Sequence, residues 1–347
     1  MKKIFREFFS FFFLFLLPFI FYLLSSPLQA LEQKGMALGL FSKDPQYSYE
    51  QDLKEMKEWG ITDVLLLVSW YQHDVKSNEI VPLKDEKQDT YTIPDEKLRE
   101  VIQQAESLGI RTVIFPILRL EVREDKDWRG VIEPSDKDLW WKNYEKFILY
   151  YAEIAATEKV STFSVGSELL SREKETEKWK SLIEKVRKIY PGKLLYSSNW
   201  DHYQYPEFWG SLDYIGMTAY HELSKTKKPS LKNLQREWVK IRREVLAWKK
   251  KYPRQKLVFT EIGYPSVDGT SMHPWNYFME GKVDLREQAL CYRAFINSWK
   301  KVPQLAGVYF WVWWGEGGPQ DKSYTPRGKP AARYLQKWYK PVESRGK

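Results

Sequence analysis

The stretch Asp63–Trp70, which reads DVLLLVSW, decides the fold of this 347-residue chain. Its centre is an unbroken apolar run, without the alternation of apolar and polar residues that a strand with one solvent-exposed face shows. A short continuous run of this kind is typical of a strand that is buried on both faces of a parallel sheet. We therefore predict a parallel β-sheet that is covered by helices.

Similar runs recur along the chain and alternate with longer stretches of helical periodicity. The predicted strands are Met36–Phe41, Asp63–Trp70, Arg111–Leu118, Thr162–Gly166, Leu194–Asn199, Tyr214–Tyr220, Leu257–Glu261 and Gly307–Trp313. The predicted helices lie near residues 49–59, 95–108, 136–158, 173–190, 232–252 and 285–301, and a closing helix follows Lys329. Gly60, Gly109 and Pro253 mark helix ends.

Eight strands in alternation with helices predict an α/β fold, a single (β/α)8 TIM barrel. The alternative is an open doubly wound sheet, but no glycine-rich phosphate loop follows the first predicted strand. The connection between the fifth and sixth strands is short, around residues 206–211. No long linker or low-complexity segment follows residue 30, so we predict one catalytic domain over residues 31–340 and a C-terminal tail over residues 341–347.

Residues 1–30 are typical of a secretory signal peptide or a signal anchor. Lys2, Lys3 and Arg6 precede an apolar run over residues 8–24, and Ala30 ends a possible cleavage site. The run is 17 residues long, at the short end for a membrane span, and could also act as an uncleaved membrane tether. We therefore expect the protein to be secreted, periplasmic or anchored on the outer face of a membrane.

The composition argues against nucleic acid as a partner. The net charge is +9, of which the first 30 residues supply +2. The run of lysines at residues 249–251 ends a helical stretch, where the helix dipole favours cations, so we interpret it as a solvated helix end.

The aromatic content is high. The 16 Trp and 22 Tyr exceed the needs of a core, and their flat amphipathic rings suit sugars. Cys291 is the only cysteine, so no internal disulfide can form.

Residues at the C-terminal ends of the predicted strands are candidates for the active site, because active sites of such barrels lie at these ends. Polar or aromatic residues capable of holding a sugar stand at these positions. They are Trp70, Arg119, Glu168, Asn199, Tyr220, Glu261, Trp311 and Trp313.

Glu168 and Glu261 end the fourth and seventh predicted strands, so we expect them to face each other across the barrel mouth. Two opposed carboxyl groups are the minimum equipment for cleaving a glycosidic bond, and a separation of roughly 5–5.5 Å is typical of enzymes that retain the anomeric configuration. Each Glu also has a purely structural interpretation, as a partner of a helix N-terminus or of an ion pair across the rim. The pairing with Tyr and Trp residues favours the catalytic interpretation.

The other candidates have supporting roles, each with an alternative. Tyr220 can donate its hydroxyl to the nucleophile, or can be a rim aromatic residue. Asn199 can bind sugar hydroxyls, or can support a turn with Asp201. Arg119 can bind sugar or a carboxylate, or can pair with Glu121 or Glu124 on the surface.

Trp311 and Trp313 are expected on one face of the last strand, where one would form the floor of the sugar site and the other would pack. Four histidines, at positions 73, 202, 221 and 273, show no metal-ligand spacing, and we predict neither a metal nor a cofactor. The segment Val165–Leu169 lacks the second glycine of a serine nucleophile elbow.

Several of these motifs together resemble glycoside hydrolase family 113, a group of TIM-barrel enzymes in the large retaining clan A. The resemblance covers roughly residues 35–338 in the order of the family's strands. The segments that carry it are Trp70–Gln72 (WYQ), Val165–Leu169 (VGSEL), Ser198–Asp201 (SNWD), Asp213–Tyr220 (DYIGMTAY), Thr260–Tyr264 (TEIGY) and Tyr324–Ala331 (YTPRGKPA).

The resemblance implies that Glu168 is the acid/base, that Glu261 is the nucleophile, and that the substrate is a β-1,4-mannan or manno-oligosaccharide, cleaved with retention and without a metal. Ser167 is a departure, because in the wider clan an Asn usually precedes the acid/base and binds the sugar 2-hydroxyl. Two alternatives remain: a non-catalytic carbohydrate-binding barrel, and a transglycosylase that uses the same pair of Glu residues.

Overall fold

A computed structural model of the chain describes residues 31–44, 46–83 and 91–340. Its eight strands form a closed barrel in which every strand is parallel to its neighbours and the last pairs with the first. They are β1 (Gln33–Leu38), β2 (Asp63–Gln72), β3 (Arg111–Leu120), β4 (Thr162–Ser167), β5 (Lys193–Ser198), β6 (Tyr214–Thr218), β7 (Lys256–Ile262) and β8 (Leu305–Trp313). The predicted barrel is confirmed, and the open sheet is excluded.

Seven α-helices of the described residues surround the barrel. They are α1 (Glu50–Glu58), α2 (Asp95–Ser107), α3 (Lys137–Thr157), α4 (Thr176–Ile189), α5 (Leu231–Lys249), α6 (Leu285–Trp299) and α7 (Ala332–Tyr339). The helix ends predicted at Gly60 and Gly109 are confirmed. These residues follow α1 and α2 with φ of +83° and +67°, a conformation that glycine adopts without cost. A single 3₁₀ turn, Trp209–Ser211, occupies the short connection between β5 and β6.

The alternation of side chains along the strands separates two apolar clusters. One fills the barrel interior, where Leu65 and Leu67 of β2 meet Val113, Phe115 and Ile117 of β3. The other, larger cluster lies between the outer face of the strands and the helices. Both faces of β2 are therefore buried, which is why its sequence is apolar without interruption.

The first strand differs from its prediction, because it begins at Gln33 rather than Met36 and ends before Phe41. Gln33 is a polar residue that is nevertheless buried, and its side-chain oxygen accepts a hydrogen bond of 3.1 Å from the hydroxyl of Tyr309. An apolar pattern cannot reveal a buried polar residue whose partner is 276 positions away.

The predicted signal segment, residues 1–30, and the predicted tail, residues 341–347, lie outside the described residues. Within the part of the chain that the structure describes, no helix has both the length and the apolar character needed to cross a membrane.

Candidate active site

Glu168 stands directly after β4, on a turn that is tied to the neighbouring strand. Its φ of +56° lies in the left-handed region, which non-glycine residues adopt at a cost of about 1–3 kcal/mol unless the surroundings impose it. Its backbone N–H donates to the carbonyl oxygen of Ser197 at 2.8 Å. The largely buried carboxylate accepts a hydrogen bond of 2.5 Å from Nη1 of Arg129. The turn and the ion pair together fix the direction of the Glu168 side chain.

Arg129 is a site residue that the sequence analysis missed. It begins a short 3₁₀ turn, Arg129–Val131, in the loop that follows β3, and its Nε donates to the carbonyl oxygen of Leu118 at 3.3 Å. Nothing in the local sequence distinguishes this arginine from its neighbours Arg119 and Arg123, because its partner lies 39 residues away.

Glu261 lies within β7, and its environment differs from that of Glu168. Its side chain is buried, and Tyr220 donates its hydroxyl to Oε2 of Glu261 at 3.1 Å, as the sequence predicted for a Tyr–Glu contact. Burial, followed by the charge of Glu168, raises the pKa of Glu261 to about 8, while Arg129 and the Tyr220 hydroxyl act in the opposite direction.

The structure therefore brings Glu168, Glu261, Tyr220 and Arg129 into one electrostatically connected group at the C-terminal end of the barrel. Two carboxyl groups in such a group can supply an acid and a base or nucleophile. These groups are suited to acid-assisted displacement at a carbon atom.

An aromatic loop continues the site outward from Tyr220. The ring of Tyr324 lies 6.3 Å from the ring of Tyr220, and its hydroxyl donates to the carbonyl oxygen of Pro274 at 2.7 Å. Beyond Pro274, the loop between β7 and α6 exposes three large aromatic side chains, Trp275, Tyr277 and Phe278.

Arg123, in the loop after β3, donates to the hydroxyl of Tyr277 at 3.4 Å. The strands β3 and β7 are four positions apart in a barrel of eight and therefore stand on opposite sides of it. This contact shows that the two loops meet over the mouth of the barrel.

Asn199 follows β5, and its amide is held in place. Its Oδ1 accepts hydrogen bonds from the backbone N–H of Trp200 at 2.9 Å and from Oγ1 of Thr218 at 2.8 Å. Both of these bonds use the oxygen, and among the described residues the amide nitrogen has no partner, so it can donate to another group. The contact with Trp200 agrees with the turn interpretation, and the bond to Thr218 orients the amide from the adjacent strand.

Arg119 continues the inward-facing alternation of β3, whose residue Ile117 belongs to the interior cluster. Its guanidinium carbon lies 5.9 Å from the centre of the Tyr71 ring. Over residues 31–44, 46–83 and 91–340, no ion pair joins Arg119 to Glu121 or Glu124, so the surface-bridge interpretation finds no support there. A sugar-binding role for Arg119 stays a prediction.

Two predicted sugar-binding residues lie on the wrong face of the sheet. Trp70 is buried under α3, where its ring packs 5.3 Å from that of Phe147. Trp313 is also buried outside the barrel, and its Nε1 donates to Oδ1 of Asp52 at 3.0 Å while its ring packs on Trp59. Both predictions were wrong, because a strand-end position was taken to imply an inward-facing side chain.

The expected alternation of Trp311 and Trp313 onto one face is wrong as well. The pairing of β8 with β1 shifts by one residue after Phe310, since Met36 lies opposite Phe310 and Leu38 opposite Trp313. Such a bulge moves the following side chains to the other face. Trp311 therefore packs, partly buried, against the interior cluster, while Trp313 joins the outer one.

A second buried carboxylate, Glu173, was also missed. Its Oε1 accepts hydrogen bonds of 2.9 Å from the hydroxyls of Tyr196 and Ser198. Nε2 of His202 lies 3.7 Å from the same oxygen, and Nδ1 of His202 is 2.5 Å from Oδ1 of Asp201. In the sequence, Glu173 looked like an ordinary acidic residue at the start of the helix predicted over residues 173–190, whereas α4 begins only at residue 176.

This second group is strongly perturbed by its surroundings. Burial raises the pKa of Glu173 to about 7, although the charge of His202 opposes the shift. Burial alone lowers the pKa of His202, but the bond to Asp201 and the charge of Glu173 outweigh it and raise that pKa above its ordinary value.

One acidic cluster among the described residues has carboxylates close enough to share a cation. Oxygens of Asp268, Asp284 and Glu287 lie within 4.8 Å of one another. The oxygens of Glu287 already accept hydrogen bonds from Gly269 and Ser271, and Asp268 pairs with Lys227. These bonds account for the cluster as a clamp on the loop that follows β7.

An eight-stranded parallel barrel with a pair of carboxylates at the ends of its fourth and seventh strands is the arrangement of a glycoside hydrolase. A family model described as Glycoside Hydrolase Family 113 matches residues 36–329, and the chain belongs to this family. A comparison with curated proteins finds no match.

Comparison with solved structures agrees with the fold. A GH113 β-1,4-mannanase superposes with a TM-score of 0.79 at 24% identity, over 89% of this chain and 99% of that one. The GH113 β-mannanase from Alicyclobacillus acidocaldarius, in complex with ManMIm, gives a TM-score of 0.78 at 22% identity, over 90% and 99%. A β-D-glucuronidase of Dictyoglomus thermophilum gives 0.61 at 14% identity, over 90% of this chain and 51% of that one.

Proposed function

We propose that this glycoside hydrolase cleaves a β-1,4-linked mannan or a similar β-linked polysaccharide with retention, by double displacement. The observation that supports this most directly is the buried, mutually interacting pair formed by Glu168 and Glu261 at the ends of β4 and β7. In this proposal Glu261 is the nucleophile and Glu168 is the acid/base.

In the first step, the Glu261 carboxylate attacks the anomeric carbon while Glu168 donates its proton to the departing glycosidic oxygen. A covalent glycosyl-enzyme forms, and the leaving sugar departs with the proton. In the second step, Glu168 takes a proton from water, the water oxygen attacks the anomeric carbon, and the carboxylate of Glu261 is released. Arg129 stabilises the carboxylate that Glu168 becomes between the two steps, because their opposite charges are in direct contact.

Nucleophilic attack needs the ionised form of Glu261, which burial disfavours. Tyr220 and Arg129 both lower the pKa of Glu261 and therefore increase the population of the reactive form. The burial of the pair has its own function, since it excludes water and strengthens every charge interaction with the sugar.

The substrate class rests on weaker support than the reaction class. The β-1,4-mannanases that resemble this chain share its fold at less than 25% identity. The exposed Trp275, Tyr277 and Phe278 beside the mouth offer flat apolar faces that suit an extended chain of pyranose rings.

Within the pocket, we assign sugar contacts to Asn199, Arg119 and Trp311. Ser167, which stands where the wider clan has Asn, is buried, and its hydroxyl has no hydrogen-bond partner among the described residues. Because this hydroxyl is also shielded from solvent, we assign the polar contact near the sugar 2-hydroxyl to the free amide nitrogen of Asn199.

We also propose that the enzyme acts outside the cytosol, secreted, periplasmic or anchored on the outer face of a membrane. The basic and apolar pattern of residues 1–30 supports this location. Detection of the mature N-terminus by mass spectrometry tests it: cleavage near Ala30 indicates a released enzyme, and an intact N-terminus indicates an anchored one. Retention of the chain in the cytosol would contradict both forms.

The experiment for the function is a panel of β-1,4-linked manno-, gluco- and xylo-oligosaccharides, incubated with the full chain in mild detergent and with its Glu261→Ala variant. We expect cleavage of the manno series, loss of cleavage in the variant, and β-configured products at the earliest times in proton NMR. Products of α configuration would contradict retention. Binding without cleavage of any sugar would indicate a carbohydrate-binding barrel instead.

A further inference from the structure

A chain of two hydrogen bonds connects the buried Glu173 to the turn that carries Glu168. The backbone N–H of Leu169, the residue that follows Glu168, donates to the hydroxyl of Tyr196 at 2.9 Å. The same hydroxyl donates to Oε1 of Glu173 at 2.9 Å. Both bonds are buried, so no water competes for their partners.

These two hydrogen bonds act on a residue of the site whose backbone is strained. Glu168 adopts a left-handed backbone conformation, which persists only where neighbouring contacts impose it. One such contact is the bond from the Glu168 N–H to Ser197, and the other is the bond from the Leu169 N–H to Tyr196. A phenol that donates to a carboxylate becomes a stronger acceptor, so Glu173 strengthens the second contact.

The charge of Glu173 requires a partner, since it is fully buried. From β5 it faces only the hydroxyls of Tyr196 and Ser198. From the loop after β5 it faces His202, whose Nε2 is buried and has no hydrogen-bond partner among the described residues.

The remaining charged groups nearby are engaged elsewhere. Arg172, the preceding residue, directs its guanidinium to Glu133 and Glu175 at 2.7 and 2.9 Å. From the turn after β4, Glu168 repels the Glu173 carboxylate, and Asp201 lies on the far side of His202. His202 is therefore the cation that balances Glu173.

We propose that Glu173 is a positioning residue for the acid/base: its carboxylate, balanced by His202, orients the Tyr196 hydroxyl and thereby holds the turn that aims Glu168 at the glycosidic oxygen. This inference rests on the proposed role of Glu168. It assigns Glu173 no contact with substrate.

Three variants of the full chain test the proposal. Glu173→Gln removes the charge, and Tyr196→Phe removes the hydroxyl link but keeps the packed ring. Asp63→Asn is the matched control, because Asp63 is also a buried carboxylate, bound by Thr62 and Arg111 at the start of β2, at the end of the barrel opposite the site. For each, kcat/KM is measured on a manno-oligosaccharide and on an aryl mannoside with a highly activated leaving group, and the pKa of His202 is measured by NMR.

We expect Glu173→Gln and Tyr196→Phe to lower kcat/KM on the oligosaccharide by about 10–100-fold, the cost of a misplaced catalytic group. The activated aryl mannoside should lose less than about 3-fold, because its departure needs little protonation. The pKa of His202 should fall in Glu173→Gln, where the balancing anion is gone, and stay unchanged in Tyr196→Phe. Asp63→Asn should behave as wild type in all three measurements.

An equal loss on both substrates would overturn the proposal, because it would show a general structural role. Wild-type kinetics in Tyr196→Phe would overturn it too, even where Glu173→Gln fails to fold. That result would show that the Tyr196 hydroxyl does not affect the position of Glu168. A wild-type protein that cleaves neither substrate would refute the proposed function itself, which separates the two failures.

Discussion

The two ends of the carboxylate pair are built differently. On the β4 side, Glu168 is bound by the guanidinium of Arg129 and sits on a turn that hydrogen bonds hold in place. On the β7 side, Glu261 lies within the strand, where the pairing with β6 and with β8 shifts register, and among the described residues it receives one side-chain hydrogen bond, from Tyr220. One carboxylate is controlled by charge and backbone geometry, the other by burial and a single hydroxyl.

This difference shows how one barrel mouth assigns two roles to the same amino acid. Two residues of the same type can take different roles when their surroundings differ. A proton donor must be aimed accurately at the leaving oxygen, and the bonded turn of Glu168 provides that aim. A nucleophile must be poorly solvated, and the buried strand position of Glu261 provides that condition.

The largest expected effect is on the β7 side. Glu261→Ala removes the attacking atom, and we expect kcat to fall by about 10⁴-fold or more while the thermal unfolding temperature stays near that of wild type. Steady-state kinetics on a manno-oligosaccharide and a melting curve check both parts. Substantial turnover in this variant would exclude Glu261 as the nucleophile.

On the β4 side, the loss should depend on the substrate. Glu168→Ala should lower kcat/KM by about 10²–10⁴-fold on an unactivated oligosaccharide, where leaving-group protonation is essential. The loss on an activated aryl glycoside should be much smaller. A plot of kcat/KM against leaving-group pKa measures this difference, and equal losses across the series would contradict the acid/base role.

Arg129 connects the two sides, so its removal tests whether they are coupled. Arg129→Met should raise the pKa of Glu261 above about 8, because Arg129 acts to lower it. Since attack needs ionised Glu261, the acidic limb of the kcat/KM profile should move to higher pH, and activity at neutral pH should fall by about 10–100-fold. Arg123→Met, which changes an arginine outside this group, is the control. An unchanged acidic limb would show that the charges are not coupled.

The smallest effect should come from Tyr220. Tyr220→Phe removes the only side-chain hydrogen bond that the structure shows on Glu261 among its described residues, and this bond lowers the pKa of Glu261. The acidic limb should therefore shift upward again, by less than in Arg129→Met, with a loss of about 10-fold near neutral pH. A pH profile of kcat/KM measures the shift. A downward shift would refute the assigned direction of the bond.

The barrel could be predicted from the sequence because its strands are apolar on both faces and its helices carry clear end signals such as Gly60 and Gly109. The same reasoning placed Glu168, Glu261 and Tyr220 at strand ends, and the structure brings them together. It failed for Trp70 and Trp313, because the end of a strand does not reveal the face on which a side chain lies. A one-residue bulge in β8 was enough to reverse the face of Trp313.

The amino-acid sequence alone determined the barrel, the pair of carboxylates and the family, since these depend on local periodicity and on motifs of a few residues. Only the tertiary structure showed that Arg129 binds Glu168 and that Glu173 reaches its turn through Tyr196. These contacts join residues 23 to 39 positions apart, and their energies depend on burial and exact distance. Such quantities exist only once the chain has closed into the barrel.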